Sequence, residues 1–66
     1  SAAGFPDIVC VKPGKPVVYA ELKTEKGQLT ASQSQWIALL QQAQGTEVYV
    51  WRPSDWPQIE QRFLYG

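Results

Sequence analysis

Asp7, Glu21 and Lys23 are the residues of this sequence whose types and spacing could do chemistry together. Glu21 and Lys23 stand two apart in the run Val-Val-Tyr-Ala-Glu-Leu-Lys over residues 17–23, and in an extended strand such residues point to one face. Asp7 reaches them through a turn. Pro13, Gly14 and Pro16 lie between two apolar, β-branched runs at residues 8–11 and 17–22, the pattern of a β-hairpin with a loop of about five residues. A hairpin symmetric about Gly14 sets residue i against residue 28 − i, so Val11 opposes Val17, Val9 opposes Tyr19, and Asp7 opposes Glu21. Directly opposed side chains share a face with Cβ atoms about 4.5–5.5 Å apart, where like charges repel. Two carboxylates so placed either share a proton, one pKa rising, or hold a cation between them.

For a hard divalent cation this is half of a site. Mg2+ takes oxygen ligands, commonly one or two carboxylates with waters and substrate phosphate, and Asp7 and Glu21 supply the carboxylates. The backbone carbonyl of Leu22 offers a third oxygen. A metal there would activate water and neutralise charge on a phosphoryl group. Lys23 would orient that water and stabilise the developing charge. The same residues also fit a surface ion network at an exposed strand end, and a register slip of one residue would move Asp7 to the other face. Spacing alone leaves these readings open.

The elements around the triad follow from pattern. Thr30 with Gln33 three residues later fits a capping box, opening a helix that should run to about Gln44 and end at Gly45. Trp36, Ile37, Leu40 and Ala43 form its apolar stripe, and Gln33 lies one turn upstream on that stripe. A polar group there needs a partner: the capping box alone, or a site water, phosphate or Lys23. Residues 47–51 read as a third strand, Arg52 and Pro53 as a break, and Ser54 or Asp55 as the cap of a last helix to about Leu64. Pro57 is tolerable there because it falls in the first turn. The expected order is β-β-α-β-α, an α/β fold.

Composition narrows the classes. The 66 residues make one domain, 1–66, with a marginal core, since domains of this size bury only about 60% of their unfolded surface. Six Lys and Arg balance six Asp and Glu, so net charge gives no argument for nucleic acid as a partner. One Cys and no His exclude an internal disulfide framework and a Cys/His zinc site. No apolar run approaches the roughly 20 residues of a membrane span and no leader pattern is present, so a soluble, intracellular protein without membrane association is expected. The absence of Met suggests a processed or trimmed chain. Cys10 is expected as a small buried hydrophobe, the three tryptophans as core or interface aromatics, and Asp55, Glu60 and Arg62 as a solvated helix face.

Gly-Phe-Pro-Asp at residues 4–7, followed by Glu-Leu-Lys at 21–23, resembles the Pro-Asp…Glu-x-Lys signature of the PD-(D/E)XK nuclease superfamily. With Gly-Gln-Leu-Thr-x-x-Gln at 27–33, Trp36, and Val-Tyr-Val-Trp-Arg-Pro-Ser-Asp at 48–55, the sequence more narrowly resembles the VRR-NUC (virus-type replication-repair nuclease) domain over nearly its whole length.

The resemblance implies a restriction-endonuclease-like core and a metal-dependent DNA endonuclease using Mg2+, with Mn2+ able to substitute. Asp7 and Glu21 would bind metal, Lys23 would serve the water, and Gln33 would be the family's helix glutamine three residues before the Trp. Stand-alone members imply a homodimer selective for branched DNA, of Holliday-junction-resolvase type, acting in DNA repair in the cytoplasm of a bacterial or phage-infected cell. The family core opens with a helix bearing a further acidic ligand and then a strand, and neither is represented before Ser1. An N-terminally incomplete domain is therefore expected. A catalytically silent DNA-binding or dimerisation module of the same fold is the alternative.

Overall fold

The computed structural model describes residues 3–64. Strand β1 spans Ile8–Cys10 and β2 Val17–Leu22, helix α1 spans Ala31–Gln42, and β3 spans Thr46–Trp51. A 3-10 turn Pro53–Asp55, a short helix α2 Trp56–Ile59 and a π-helical turn Glu60–Leu64 complete the chain. The result is a small mixed α/β domain with a three-stranded sheet in the order β1-β2-β3.

The hairpin register is the expected one. Ile8 pairs with Ala20, Val9 with Tyr19 and Cys10 with Val18, and Gly14 takes a positive φ of 74° in the loop. β3 then pairs parallel to β2, from Val17 against Thr46 to Leu22 against Trp51, because α1 carries the chain back across the sheet. One backbone bond extends this ladder past each end, Val17 N to Gly45 O and Lys23 N to Trp51 O, both at 2.9 Å.

Alternation divides β2 between two covered faces. Tyr19 and Glu21 face α1, and Phe5 stands edge-on between Tyr19, 5.9 Å away, and Trp36, 5.1 Å away. Val18 and Ala20 face the other way with Tyr49 and Trp51, against which Phe63 packs at 6.0 and 5.4 Å. A strand covered on both faces explains why residues 17–20 read as a continuous apolar run. The core is thin as expected: Val18, Ala20, Ile37 and Ile59 are its buried aliphatic residues, while Val11, Leu39 and Leu64 are exposed.

Several expectations are corrected. Helix α1 stops at Gln42, with Ala43 exposed and extended: the Leu40 carbonyl that Gln44 would have used takes the Ala43 N–H at 3.2 Å and the Thr46 hydroxyl at 2.6 Å instead. The last segment is helical without a break from Trp56 to Leu64, as expected, but passes from α to π hydrogen bonding at Glu60. Ser54 turns to Glu25, and Asp55 accepts the Arg52 N–H at 2.8 Å, closing the 3-10 turn rather than capping α2. Cys10 is exposed, since the C-terminal segment packs on β2 and β3 and leaves the short edge strand uncovered. Arg62 is exposed as expected, 55% of its side chain open to solvent, yet it also pairs with Glu47 and lies over the Tyr49 ring at 5.7 Å, while Asp55 and Glu60 are half-buried. Trp36 and Trp51 are half-buried within the packing, whereas Trp56 is exposed.

Candidate metal centre

The site is assembled from the N-terminal approach to β1. Gly4 has φ +81°, and a Cβ placed on it would lie 2.5 Å from Ser32 C and 2.7 Å from Gln33 N, so the chain passes directly against the first turn of α1. Phe5 then fills the gap between Tyr19 and Trp36, and Pro6 is buried. In the continued register Pro6 opposes Leu22 and Asp7 opposes Glu21. Proline has no N–H for a ladder bond. The Leu22 N–H goes instead to Asp7 Oδ2, at 2.9 Å. Because Lys23 directs its N–H toward β3, Leu22 directs both N–H and C=O toward β1. Its carbonyl thus faces the Asp7 side, and the residue opposite has no backbone donor to offer it.

Glu21 is the buried charged residue among those described, only 4% exposed. Gln33 Nε2 donates to its Oε2 at 3.1 Å. The same Gln33 completes the capping box, its Oε1 accepting the Thr30 N–H at 2.9 Å while its own N–H donates to Thr30 Oγ1 at 3.1 Å. The capping box weighed for Gln33 is thus formed, and its partner in the site is Glu21 rather than the water, phosphate or Lys23 that the sequence suggested. The cap fixes the amide, and the amide fixes the carboxylate.

Burial pushes the Glu21 carboxyl above its ordinary 4.5, the hydrogen bond and charge of neighbouring Asp7 push it further, and Lys23 pulls it back. A raised carboxyl pKa means that the folded chain keeps a proton the unfolded chain has released. The stability contributed by this group is thus fullest below about 4.5 and falls as pH rises through the folded value. Divalent cations bind the ionised form, so the stabilisation they give grows over the same interval. Urea midpoints measured from pH 4.5 to 7 should fall more steeply with pH for the wild type than for Glu21→Gln, and 10 mM Mg2+ (about this level, for a weak carboxylate site) should offset the fall in the wild type alone.

All four expected residues converge. Gln33 is hydrogen-bonded to Glu21, and Asp7 and Lys23 sit close enough for their charges to act on Glu21. The ion pair formed among the described residues is Arg62 with Glu47, so Asp7, Glu21 and Lys23 do not close into the surface ion network that their spacing also allowed. What remains is a buried and an exposed carboxylate, each with one oxygen engaged by an N–H, beside a carbonyl. All these donors are oxygens, which suits a hard cation such as Mg2+. Among the described residues, no group of three or more His, Cys, Asp and Glu comes together.

Sequence reasoning treated Arg52 as a break between elements. Its guanidinium instead reaches the loop beyond Lys23, donating to the carbonyls of Thr24 and Gly27 at 2.6 Å each. The only hint was its place in the block at residues 48–55. Lys12 and Lys15 stand at the hairpin tip, the far end of β2 from Glu21. No helix of the described residues is long and apolar enough to cross a membrane.

Comparison with known families matches residues 1–55 to the family model described as VRR-NUC domain. No curated protein and no solved structure matches the chain.

Proposed function

The chain belongs to the VRR-NUC domain family, a nuclease family that acts on DNA, and on that premise we propose that it is a metal-dependent endonuclease with its centre at Asp7, Glu21 and Lys23. One observation carries this reading: a nearly inaccessible carboxylate, Glu21, is held by Gln33 with its charge set against Asp7. A protein rarely buries a carboxylate beside another without giving the pair a proton or a cation to share.

Asp7 and Glu21 would hold Mg2+, or Mn2+ in its place, with the Leu22 carbonyl as a third oxygen. The bound ion supplies Lewis acidity at a phosphoryl oxygen. Lys23 presents an ammonium beside the carboxylates, where it orients the attacking water and stabilises negative charge as the phosphodiester opens. Gln33 keeps Glu21 in one rotamer, so its free oxygen is presented without a reorganisation cost. The strand order and crossover fit the latter part of a PD-(D/E)XK core. On family grounds the substrate is branched DNA of the Holliday-junction kind, cut in repair by a homodimer. The exposed Val9, Val11 and Leu22 leave apolar surface for a second subunit. An intracellular setting, the cytoplasm of a bacterial or phage-infected cell, fits the single Cys10.

The test compares a labelled four-way junction with a linear duplex of the same sequence, in Mg2+, Mn2+ and EDTA. Junction cleavage in both metals and none in EDTA is expected; equal cutting of the two substrates would remove branch selectivity. A second reading, a catalytically silent DNA-binding or dimerisation module, rests on there being two acidic groups and no third at the centre among the described residues. Junction binding without cleavage in either metal would favour it.

A further inference from the structure

Lys23 is the last residue tied to the sheet, and beyond it the chain enters a loop. Left to itself, a strand end of this kind frays, and an ammonium on a fraying end cannot hold a fixed place beside a carboxylate. The structure counters this from one place, the end of β3. Trp51 O accepts the Lys23 N–H at 2.9 Å. The next residue, Arg52, turns its guanidinium under the loop, where Nη1 donates to Thr24 O at 2.6 Å, Gly27 O at 2.6 Å and, more weakly, Glu25 O at 3.3 Å. Lys23 is thus gripped at its own amide by Trp51, and the carbonyl of the next residue, Thr24, is gripped by Arg52.

The clamp is itself fixed. Arg52 is half-buried, and its backbone N–H is held by Asp55 Oδ2 at 2.8 Å. Ser54 Oγ donates to Glu25 Oε2 at 2.9 Å, giving the loop a second tether to the same turn. The loop is closed from within by Gly27 N to Thr24 O at 3.3 Å, and a Cβ on Gly27 would lie 2.7 Å from Thr24 Oγ1, so the turn is compact. Arg52 forms none of the ion pairs among the described residues: its charge is spent on carbonyls. An arginine needed only for solubility would not sit inward on several carbonyls, and a charged donor makes stronger bonds to them than a neutral one.

We infer that Arg52 is a positioning residue for Lys23, holding the 24–27 turn so that Lys23 keeps its place at the end of β2, on the face it shares with Glu21. The inference rests on the nuclease reading for its catalytic consequence, though not for the clamp. Arg52 touches neither carboxylate in the hydrogen bonds it makes, so divalent cation binding at Asp7 and Glu21 should not depend on it. The signature is then a loss in kcat with little change in metal affinity or in KM for DNA.

The experiment uses the full chain with Arg52→Ala and, in case that variant folds poorly, Arg52→Lys, which keeps the charge and loses the fork. Amide hydrogen exchange by NMR is followed at Lys23 and Gly27, Mn2+ affinity is measured by calorimetry, and cleavage of the labelled junction is measured in Mg2+. Exchange at both amides is expected to quicken about tenfold or more, and kcat to fall about 10- to 100-fold, with Mn2+ affinity and KM within about threefold of wild type. Unchanged exchange at Lys23 in both variants overturns the clamp, whether or not the wild type cleaves DNA. Faster exchange with undiminished kcat overturns the positioning role. A wild type that cleaves nothing refutes the nuclease reading and with it the catalytic part of the inference, while the exchange measurement still reports on the clamp.

Discussion

Replacing Lys23 by alanine is expected to slow Mg2+-dependent cleavage about 10²- to 10³-fold, the usual cost of removing one donor aimed at developing charge. The loss should fall on the chemical step. The backbone bond from Lys23 N to Trp51 O survives the substitution, and Asp7 keeps its bond from the Leu22 amide, so the strand end and the carboxylates stay in place. Mn2+ affinity should therefore change little. A further effect distinguishes this account from simple loss of DNA affinity. Lys23 pulls the Glu21 carboxyl down against burial and Asp7, so without it Glu21 ionises at higher pH. The acid limb of the pH–rate profile should move upward in Lys23→Ala, and stay nearer its wild-type place in Lys23→Arg, which keeps the charge. A parallel loss in kcat/KM with an unmoved acid limb would assign Lys23 to DNA binding alone.

The largest structural effect is expected at Gly4. Alanine there must adopt φ +81° and place its Cβ 2.5 Å from Ser32 C, a backbone atom of the first helical turn. Left-handed strain and overpacking each cost about 1–3 kcal/mol, so the combined loss is about 2–6 kcal/mol. A core of this size supplies only about 3–5 kcal/mol in all. Gly4→Ala should accordingly be largely unfolded at 37 °C by far-ultraviolet circular dichroism. Gly14→Ala is the control, since Gly14 also has positive φ, 74°, but nothing lies within 4 Å of its added Cβ. It should cost about 1 kcal/mol, strain without the clash. Equal melting of the two variants would mean that the chain does not pack against α1 at Gly4.

Much of the site was legible in the sequence, for definable reasons. Gly14 and its flanking prolines fix the hairpin's centre, and once the centre is known the register places Asp7 opposite Glu21, as observed by continuation of the pairs from Ile8–Ala20. The capping box on Thr30 is a local pattern and therefore readable. Its second use was not. That the Gln33 amide also reaches Glu21 depends on how α1 crosses the sheet, which the packing of Phe5 between Tyr19 and Trp36 decides.

Arg52 escaped notice because its acceptors are carbonyls, and a carbonyl looks the same in every residue. The C-terminal segment was readable as helical from Ser54 or Asp55 and Pro57, but its division into 3-10, α and π turns was not. Its turns are set by Asp55 closing back on Arg52 and by Arg62 and Phe63 seated on the sheet. Pro6 illustrates the remaining gap. The hairpin rule already sets it opposite Leu22, but only the fold shows that the Leu22 N–H turns to Asp7 Oδ2 in place of the missing ladder partner.

The central claim is that phosphodiester hydrolysis depends on Asp7 and Glu21 together holding a divalent cation. It is tested most directly by single-turnover cleavage of a labelled four-way junction in Mg2+ by the wild type and by the Asp7→Asn, Glu21→Gln double variant. Both substitutions keep an oxygen for the N–H donors of Leu22 and Gln33, so the variant should stay folded. The account predicts cleavage by the wild type and none by the variant at any Mg2+ concentration. Cleavage by the folded variant at the wild-type rate would contradict it.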